Sequence, residues 1–282
     1  MRLPLSVALL TFSFAIVPVL AGYLLRAWHE RRWRHDALGK TGALSPPKRP
    51  EDRRYRPPRT RWFWLFPAST IAGGAGGLGA ALLLSPLLLP LSLSAGRLIG
   101  FDNLHEYLAQ PLCEELGKAL PLLLIYRTRW FRDALDGMLL GMAAGLGFAA
   151  FENLLFFLAA YDRGGLPAWA ASIAVRIVLS TAVHGTASAF VGAYFGAARE
   201  HPSQSVRLLA LPAGLAAAVG LHASWNGLIT SAQEEAGTGL ALTALGLLSL
   251  CLMACFLLFR RAIRPAVSAD TLTTREHQIE RM

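Results

Sequence analysis

Long apolar segments limit what this chain can fold into more than any other feature of its sequence. Its 282 residues are 54% hydrophobic and only 16% charged. A helix needs about 20 apolar residues to cross a bilayer. Segments that reach or approach this length are residues 3–25, 62–94, 107–126, 134–160, 167–197, 208–230 and 240–259. The sequence therefore predicts an all-α, polytopic membrane helical bundle with about seven transmembrane helices.

The order of apolar and charged segments divides the chain into four parts. We expect residues 1–25 to form the first transmembrane helix and residues 26–61 a basic cytoplasmic loop. The loop is rich in proline and charge, so we expect it to be disordered. Residues 62–260 are predicted to form the transmembrane bundle that carries the candidate site, and residues 261–282 a flexible cytoplasmic tail. The first segment is long for a cleaved secretory signal and lacks a clear small-x-small cleavage site, which favours a membrane helix.

Basic residues predict the orientation of the bundle. The stretch from Arg26 to Arg61 contains 12 Lys or Arg residues against four acids. If this stretch is cytoplasmic, seven alternating crossings place 22 basic residues inside and three outside, which agrees with the positive-inside rule. The N-terminus is then outside and the C-terminus inside. Attraction to anionic lipid headgroups explains the basic loop better than nucleic-acid binding does, so no nucleic-acid partner is expected.

Ionisable and amide side chains interrupt four of the apolar segments. A charged side chain at the centre of a bilayer costs about 2.5–3.5 kcal/mol, and such groups usually mark a functional site. The residues chosen on this basis are Glu114, Glu115, Lys118, Glu152, His184, His222 and Asn226. We interpret them as one catalytic constellation.

Helical geometry predicts that these groups lie at one depth. The acidic pair of the third segment, Glu152 and His222 each lie about eight residues from the outer end of their helix, which is about 12 Å at the helical rise per residue. His184 lies deeper unless the stretch before Val175 runs along the membrane surface, with Arg176 reaching the outer interface. We therefore expect the fifth membrane span proper to begin near Val175.

Two imidazoles and several carboxylates at one depth fit a hydrolytic reaction on an activated water. Zinc takes histidine and carboxylate ligands in catalytic sites, and the candidate metal ligands are Glu115, Glu152, His184 and His222. A metal-free reaction, in which a glutamate and a histidine deprotonate the water, stays open. Glu114 and Glu115 are candidates for water activation or metal ligation, and the sequence does not decide which is the base. Asn226 is a candidate for positioning the water or an oxyanion.

The same residues resemble a known protease family. The motifs are Glu-Glu-x-x-Lys at 114–118, Gly-x-Gly-Phe-x-x-Phe-Glu-Asn at 145–153, His-x-x-x-Ser-x-x-x-Gly at 184–192 and His-x-x-Trp-Asn at 222–226. Together they resemble the PrsW-type intramembrane metalloproteases, relatives of the CAAX prenyl endopeptidase superfamily. The resemblance implies an endopeptidase of the bacterial plasma membrane that cleaves a membrane protein or peptide. The type member of that family cleaves an anti-sigma factor.

Two other classes of protein fit the same polar layer. A proton- or cation-coupled transporter would use the Glu and His residues as a relay, although no internal repeat of the kind that builds many transporters is visible. A catalytically silent scaffold would keep the layer for assembly. Ion-dependent uptake would identify the transporter. Substitutions that alter complex formation in a protein that shows no hydrolysis would identify the scaffold.

Overall fold

The computed structural model describes residues 4–41, 62–128, 131 and 133–234, together with seven isolated positions between 239 and 257. The helices are α1 (Leu5–Thr41), α2 (Trp62–Leu83), α3 (Ser85–Ile99), α4 (Gln110–Tyr126), α5 (Ala134–Val175), α6 (Thr181–Glu200) and α7 (Gln204–Glu234). A first π turn, His105–Ala109, leads into α4, and a second π turn, Arg176–Ser180, leads into α6. The described ranges contain no β-strand, so the all-α prediction is confirmed.

Four helical stretches within the described residues are long and apolar enough to cross a membrane. They are Leu5–Gly22, Trp64–Leu83, Ala134–Arg199 and Gln204–Ile229. The predicted number of seven is not confirmed. The helix α4 has only 17 residues, and the seventh predicted segment, residues 240–259, lies almost entirely outside the described residues. The orientation of the termini stays a prediction.

The second predicted segment, residues 62–94, is divided between two helices. The helix α2 ends at Leu83 and α3 begins at Ser85, while Leu84 keeps helical backbone angles. Pro86 follows at the start of α3, and its ring and missing N–H interrupt the regular hydrogen bonding of a continuous helix. The 15-residue α3 is too short to cross a bilayer by itself. It ends at Gly100, whose φ of 70° gives the left-handed cap that glycine favours.

The helix α1 extends further than the sequence indicates. Its helical backbone continues to Thr41, beyond the predicted end of the first segment at residue 25. The first part of the predicted 26–61 loop is therefore helical up to Thr41, and residues 42–61 lie outside the described part of the chain.

A glycine pair divides α5 into two arms. Gly164 and Gly165 have non-helical angles, and Gly165 has φ 64° and ψ −152°, a conformation that is essentially restricted to glycine. After this pair the helical backbone continues without a break through Val175 and the second π turn to Glu200. The helix itself therefore begins well before Val175, and a membrane-spanning part that begins near Val175 stays a prediction. Trp169, before that point, is already buried and donates from its indole N–H to the Thr11 hydroxyl at 2.9 Å, which fixes this arm against α1.

Small residues let the helices approach until their backbones touch. A Cβ atom on Gly137, Gly141 or Gly145 of α5 would overlap a carbonyl oxygen of α6, and those oxygens belong to Gly192, Ser188 and His184, respectively. Because the α6 numbers fall as the α5 numbers rise, the two segments run antiparallel. Glycine contacts of the same kind join α2 to α4 and α2 to α5. Such small-residue faces permit close packing of membrane helices.

Two apolar clusters enclose the polar segment of α5. One cluster contains Phe131, Leu140 and Phe195, and the other contains Phe157 and Trp169. In sequence, the polar residues of α5 lie between the members of these two clusters. The packing therefore fixes the elements that carry the polar side chains described below.

Candidate metal and catalytic centre

Helices α4, α5, α6 and α7 each contribute to one polar cluster. Glu114, Glu115 and Lys118 lie on α4 and are 2%, 0% and 0% exposed, and His184 on α6 and His222 on α7 are 1% and 2% exposed. Glu152 of α5 contacts the same cluster from a more accessible position. The convergence expected from the sequence is therefore present.

Glu115 is the most fully bonded carboxylate in this cluster. Its Oε1 accepts a hydrogen bond from Lys118 Nζ at 2.5 Å and lies 3.0 Å from His222 Nδ1. Its Oε2 accepts from the Ser188 hydroxyl at 3.4 Å. With both oxygens partnered, Glu115 balances the Lys118 ammonium and orients the His222 ring.

His184 is held between a cation and a carboxylate. Its Nδ1 lies 3.1 Å from Lys118 Nζ and its Nε2 lies 2.9 Å from Glu152 Oε2. An ammonium can only donate hydrogen bonds, so Nδ1 must accept and the ring proton is assigned to Nε2, which donates to Glu152. The Phe148 ring packs edge-on against His184 with the ring centres 5.0 Å apart. The contacts thus select both the orientation and the tautomer of His184.

Glu114 has one bonded oxygen and one that is left over. Its Oε1 accepts a hydrogen bond from the Gln110 side-chain amide at 3.1 Å. Its Oε2 is buried and has no hydrogen-bond partner, and it lies 3.6 Å from His222 Nε2. A buried polar atom without a partner is uncommon and calls for an explanation, such as an unseen water or ion.

The residues around this oxygen fit a metal ion. Glu114, His184 and His222 each offer one ligand atom, and these three atoms lie within 4.8 Å of one another. Each imidazole also directs one nitrogen at a carboxylate, Glu152 for His184 and Glu115 for His222. This is the arrangement that orients metal-ligating histidines. The other nitrogen of His222, Nε2, faces Glu114 Oε2, whereas the other nitrogen of His184, Nδ1, accepts from Lys118, so an ion bound there would displace that hydrogen bond. Two histidines and one glutamate are also the protein ligands of several zinc hydrolases.

The four metal ligands predicted from the sequence fall into two groups in the structure. His184 and His222 belong to the group that fits a metal ion. Glu115 and Glu152 instead contact nitrogens of these imidazoles, and Glu114 supplies the carboxylate of the group. Adjacent glutamates on one helix point about 100° apart, so their numbers alone do not show which faces the histidines.

Arg176 occupies a position that the sequence analysis did not predict. Its guanidinium contacts Glu152 Oε2 through NH2 at 2.5 Å, and the Arg176 side chain is only 14% exposed. The guanidinium therefore has a carboxylate partner within the bundle, and its position near the outer membrane interface stays a prediction. The sequence did contain a signal for this ion pair: Arg176 is a lone arginine in an apolar segment, and the preceding apolar segment contains the acid Glu152.

Two further polar side chains lie on the helices that carry the centre. Gln110, which was not among the predicted residues, precedes Glu114 by one helical turn and bonds it. Asn226 donates to the backbone carbonyl of Glu106 in the first π turn at 3.2 Å. That contact joins α7 to the segment that leads into α4.

Comparison with known proteins agrees with this geometry. A family model described as "PrsW family intramembrane metalloprotease" matches residues 61–259, which include every candidate site residue. No curated protein and no solved structure match the chain. The matched region covers well over half of the sequence and carries three of the four candidate membrane-spanning stretches among the described residues, together with the Glu/His cluster. The chain therefore belongs to the PrsW family of intramembrane metalloproteases and is a multi-pass membrane peptidase.

Proposed function

We propose that this peptidase hydrolyses a peptide bond of a membrane-anchored protein at the centre formed by Glu114, His184 and His222. These three residues would hold a zinc ion, which would supply a Lewis acid and an activated water. The observation that carries the proposal is the buried Glu114 Oε2, which has no hydrogen-bond partner and belongs to the only group of ligand atoms of this kind among the described residues.

Charge balance supports Glu114 as the metal ligand. The cluster contains three carboxylates, and Lys118 pairs with Glu115 while Arg176 pairs with Glu152. Among the described residues, no lysine or arginine lies within ion-pair distance of Glu114, and its contact of this kind is with the His222 imidazole. A buried negative charge is costly without a partner, and a divalent cation would provide one. Glu115 and Glu152 then orient the two imidazoles rather than bind the metal.

We assign proton transfer to Glu152. Its Oε2 accepts from both Arg176 and His184, whereas its Oε1 forms no hydrogen bond to a described residue. The Glu152 side chain is 17% exposed, more than the other two carboxylates. An open carboxylate oxygen can take a proton from the attacking water and return it to the leaving amine. In the metal-free reaction, Glu114 Oε2 would take that proton instead.

We infer the substrate class from the position of the centre. Its residues lie on helices that include candidate membrane crossings, so a soluble peptide would have to enter a largely apolar bundle. A membrane protein or a membrane-anchored peptide, such as an anti-sigma factor, fits this location as the substrate. The bacterial plasma membrane is the membrane in which we place the enzyme. Membership of a peptidase family does not favour the coupled transporter, and no second function is proposed.

Cleavage by reconstituted protein tests the proposal. Purified protein in liposomes would be mixed with single-span membrane substrates, and the products would be identified by mass spectrometry. We expect Glu114→Gln to lower cleavage by at least about 10²-fold, the scale of a lost acid–base or ligand group. Glu106→Gln, which changes an exposed glutamate near the start of α4, serves as the matched control and should cleave normally. Normal cleavage by Glu114→Gln would reject the proposed centre.

A chelator separates the two forms of the reaction. In the metal-dependent form, 1,10-phenanthroline abolishes cleavage and added Zn²⁺ restores it. Cleavage that resists the chelator but is lost in Glu114→Gln would support the metal-free form.

A further inference from the structure

Arg176 is a charged residue of an apolar segment, and its side chain contacts Asn153, Glu152 and the Phe156 ring. It begins the second π turn, directly before the helix that carries His184. The guanidinium lies over the Phe156 ring at 3.6 Å from the ring centre, and its side chain is only 14% exposed. An arginine held inside a bundle in this way is expensive to bury and is usually functional.

A closed ring of hydrogen bonds fixes the direction of this side chain. Arg176 Nε donates to Asn153 Oδ1 at 3.1 Å, and Asn153 Nδ2 donates to Thr181 Oγ1 at 3.1 Å. The Thr181 hydroxyl donates in turn to the carbonyl of Arg176 at 3.2 Å. Asn153 is fully buried, and both ends of its amide are used. The ring spans the second π turn and leaves the terminal nitrogens of Arg176 directed at one target.

That target is the carboxylate oxygen that also holds His184. Arg176 NH2 contacts Glu152 Oε2 at 2.5 Å, and His184 Nε2 contacts the same atom at 2.9 Å. Two donors on one oxygen determine how the carboxylate plane lies. The other oxygen, Oε1, is thereby kept free of hydrogen bonds to described residues.

We propose that Arg176 is a positioning residue of this peptidase: through the Arg176–Asn153–Thr181 ring it fixes the Glu152 carboxylate, so that one oxygen orients His184 and the other stays open for proton transfer. The inference rests on the proposed function, because it assigns Glu152 and His184 to the reaction. It adds a residue that does not touch the substrate and acts only through Glu152.

A simple ion pair would not need an arginine. A lysine presents a point charge, whereas the guanidinium is a planar fork that can bond two partners at once. Here the Nε edge bonds Asn153 while NH2 bonds Glu152. We therefore expect Arg176→Lys to keep part of the activity and Arg176→Met to keep less.

The test compares kinetic constants in reconstituted protein. Arg176→Met should lower kcat by about 10–100-fold, the usual effect of removing a partner of an active-site ligand, with KM within about twofold of wild type because the substrate is not touched. Arg163→Met, which changes an exposed arginine of α5, is the matched control and should leave kcat unchanged. A rise in KM with unchanged kcat would overturn the proposal.

A double-mutant cycle shows whether Arg176 acts through Glu152. Glu152→Gln should lower kcat by itself, and adding Arg176→Met to it should change kcat by less than about threefold if the two residues act as a unit. If the kcat losses of the two single variants multiply in the double variant, Arg176 acts independently of Glu152, which would contradict the proposal. If Arg176→Met does not fold, Asn153→Ala decides the question, because it keeps the charge but opens the ring. A normal kcat for Asn153→Ala would overturn the positioning role.

Two readouts separate this proposal from the proposed function. Arg176→Met should retain bound metal, whereas Glu114→Gln should lose it. If Glu114→Gln cleaves normally, the proposed function fails. If Glu114→Gln is inactive and Arg176→Met has a normal kcat, only the positioning role fails.

Discussion

Individual side chains in this bundle are arranged so that most of the buried charge is paired. Lys118 contacts both Glu115 and His184, and its ammonium also lies 4.1 Å from the centre of the Phe148 ring. Buried ion pairs of this kind add little net stability, but the loss of one partner leaves an uncompensated charge. Lys118 therefore contributes both to folding and to the tautomer of His184.

Removal of Lys118 is expected to destabilise the bundle. Lys118→Met leaves the buried Glu115 carboxylate without its ammonium, and such a change costs about 3–5 kcal/mol. We expect a lower thermal unfolding midpoint in detergent and no cleavage. The double variant Lys118→Met, Glu115→Leu removes both charges and should regain most of the stability while staying inactive. A single variant as stable as wild type would show that the pair is not structurally important.

At this scale, residue types were easier to predict than their partners. Charge in an apolar segment identified Glu114, Glu152 and His184 without any structure. The choice of Glu114 rather than Glu115 as the carboxylate with a free oxygen depends on the rotation of α4, which one sequence does not determine. The partner of Arg176 depends equally on the pairing of two helices.

At the level of helices and turns, the two π turns occupy equivalent positions in the chain. Each directly precedes a helix that carries site residues, α4 or α6. A π turn shifts the register of a helix by one residue and is often found at functional sites. It has no strong sequence signature, so the sequence did not predict either turn.

Close packing of α5 against α6 is expected to be necessary for activity. A Cβ on Gly145 would overlap the backbone carbonyl of His184, so Gly145→Ala must push α6 and its histidine outward. Overpacking of this kind costs about 1–3 kcal/mol, and we expect a lower melting temperature and a large loss of cleavage. At Gly79 a Cβ meets nothing within 4 Å, so Gly79→Ala is the matched control and should be neutral or slightly stabilising. Equal behaviour of the two variants would argue against the packing described here.

The helix α3 is attached to the bundle through a histidine. His105 of the first π turn lies 2.8 Å from the Ser92 hydroxyl through Nδ1 and 3.0 Å from the Ser85 hydroxyl through Nε2. We expect His105→Phe to break both contacts and to speed amide hydrogen exchange across residues 85–99, measured by mass spectrometry. Exchange elsewhere, for example in α6, should not change. Unaltered exchange in α3 would mean that other contacts hold it.

At the scale of the whole molecule, apolar length and basic loops predicted a helical membrane protein before any coordinates. The all-α class is confirmed, and the turn between the fourth and fifth predicted segments lies at Gly164 and Gly165. The number of crossings was harder to predict, because the interruption at Leu84 and the short α3 depend on proline positions and tertiary packing. The orientation rests on the basic residues alone.

Thiol labelling in cells tests that orientation. In a variant without native cysteines, Asp162→Cys should react with a membrane-impermeant maleimide from outside the intact cell. Ser203→Cys should react only after the membrane is permeabilised. Both positions are exposed in the structure, so access is limited by the membrane and not by burial. The reverse pattern would place the N-terminus inside.

The most direct test of the central claim is the metal content of the purified protein, measured by inductively coupled plasma mass spectrometry. If Glu114, His184 and His222 hold one ion, the wild type and the Glu106→Gln control should each carry about one zinc per chain after saturation and desalting. Glu114→Gln and His222→Ala should carry almost none while remaining folded. Equal zinc in all four proteins, or none in the wild type, would contradict the metal centre described here.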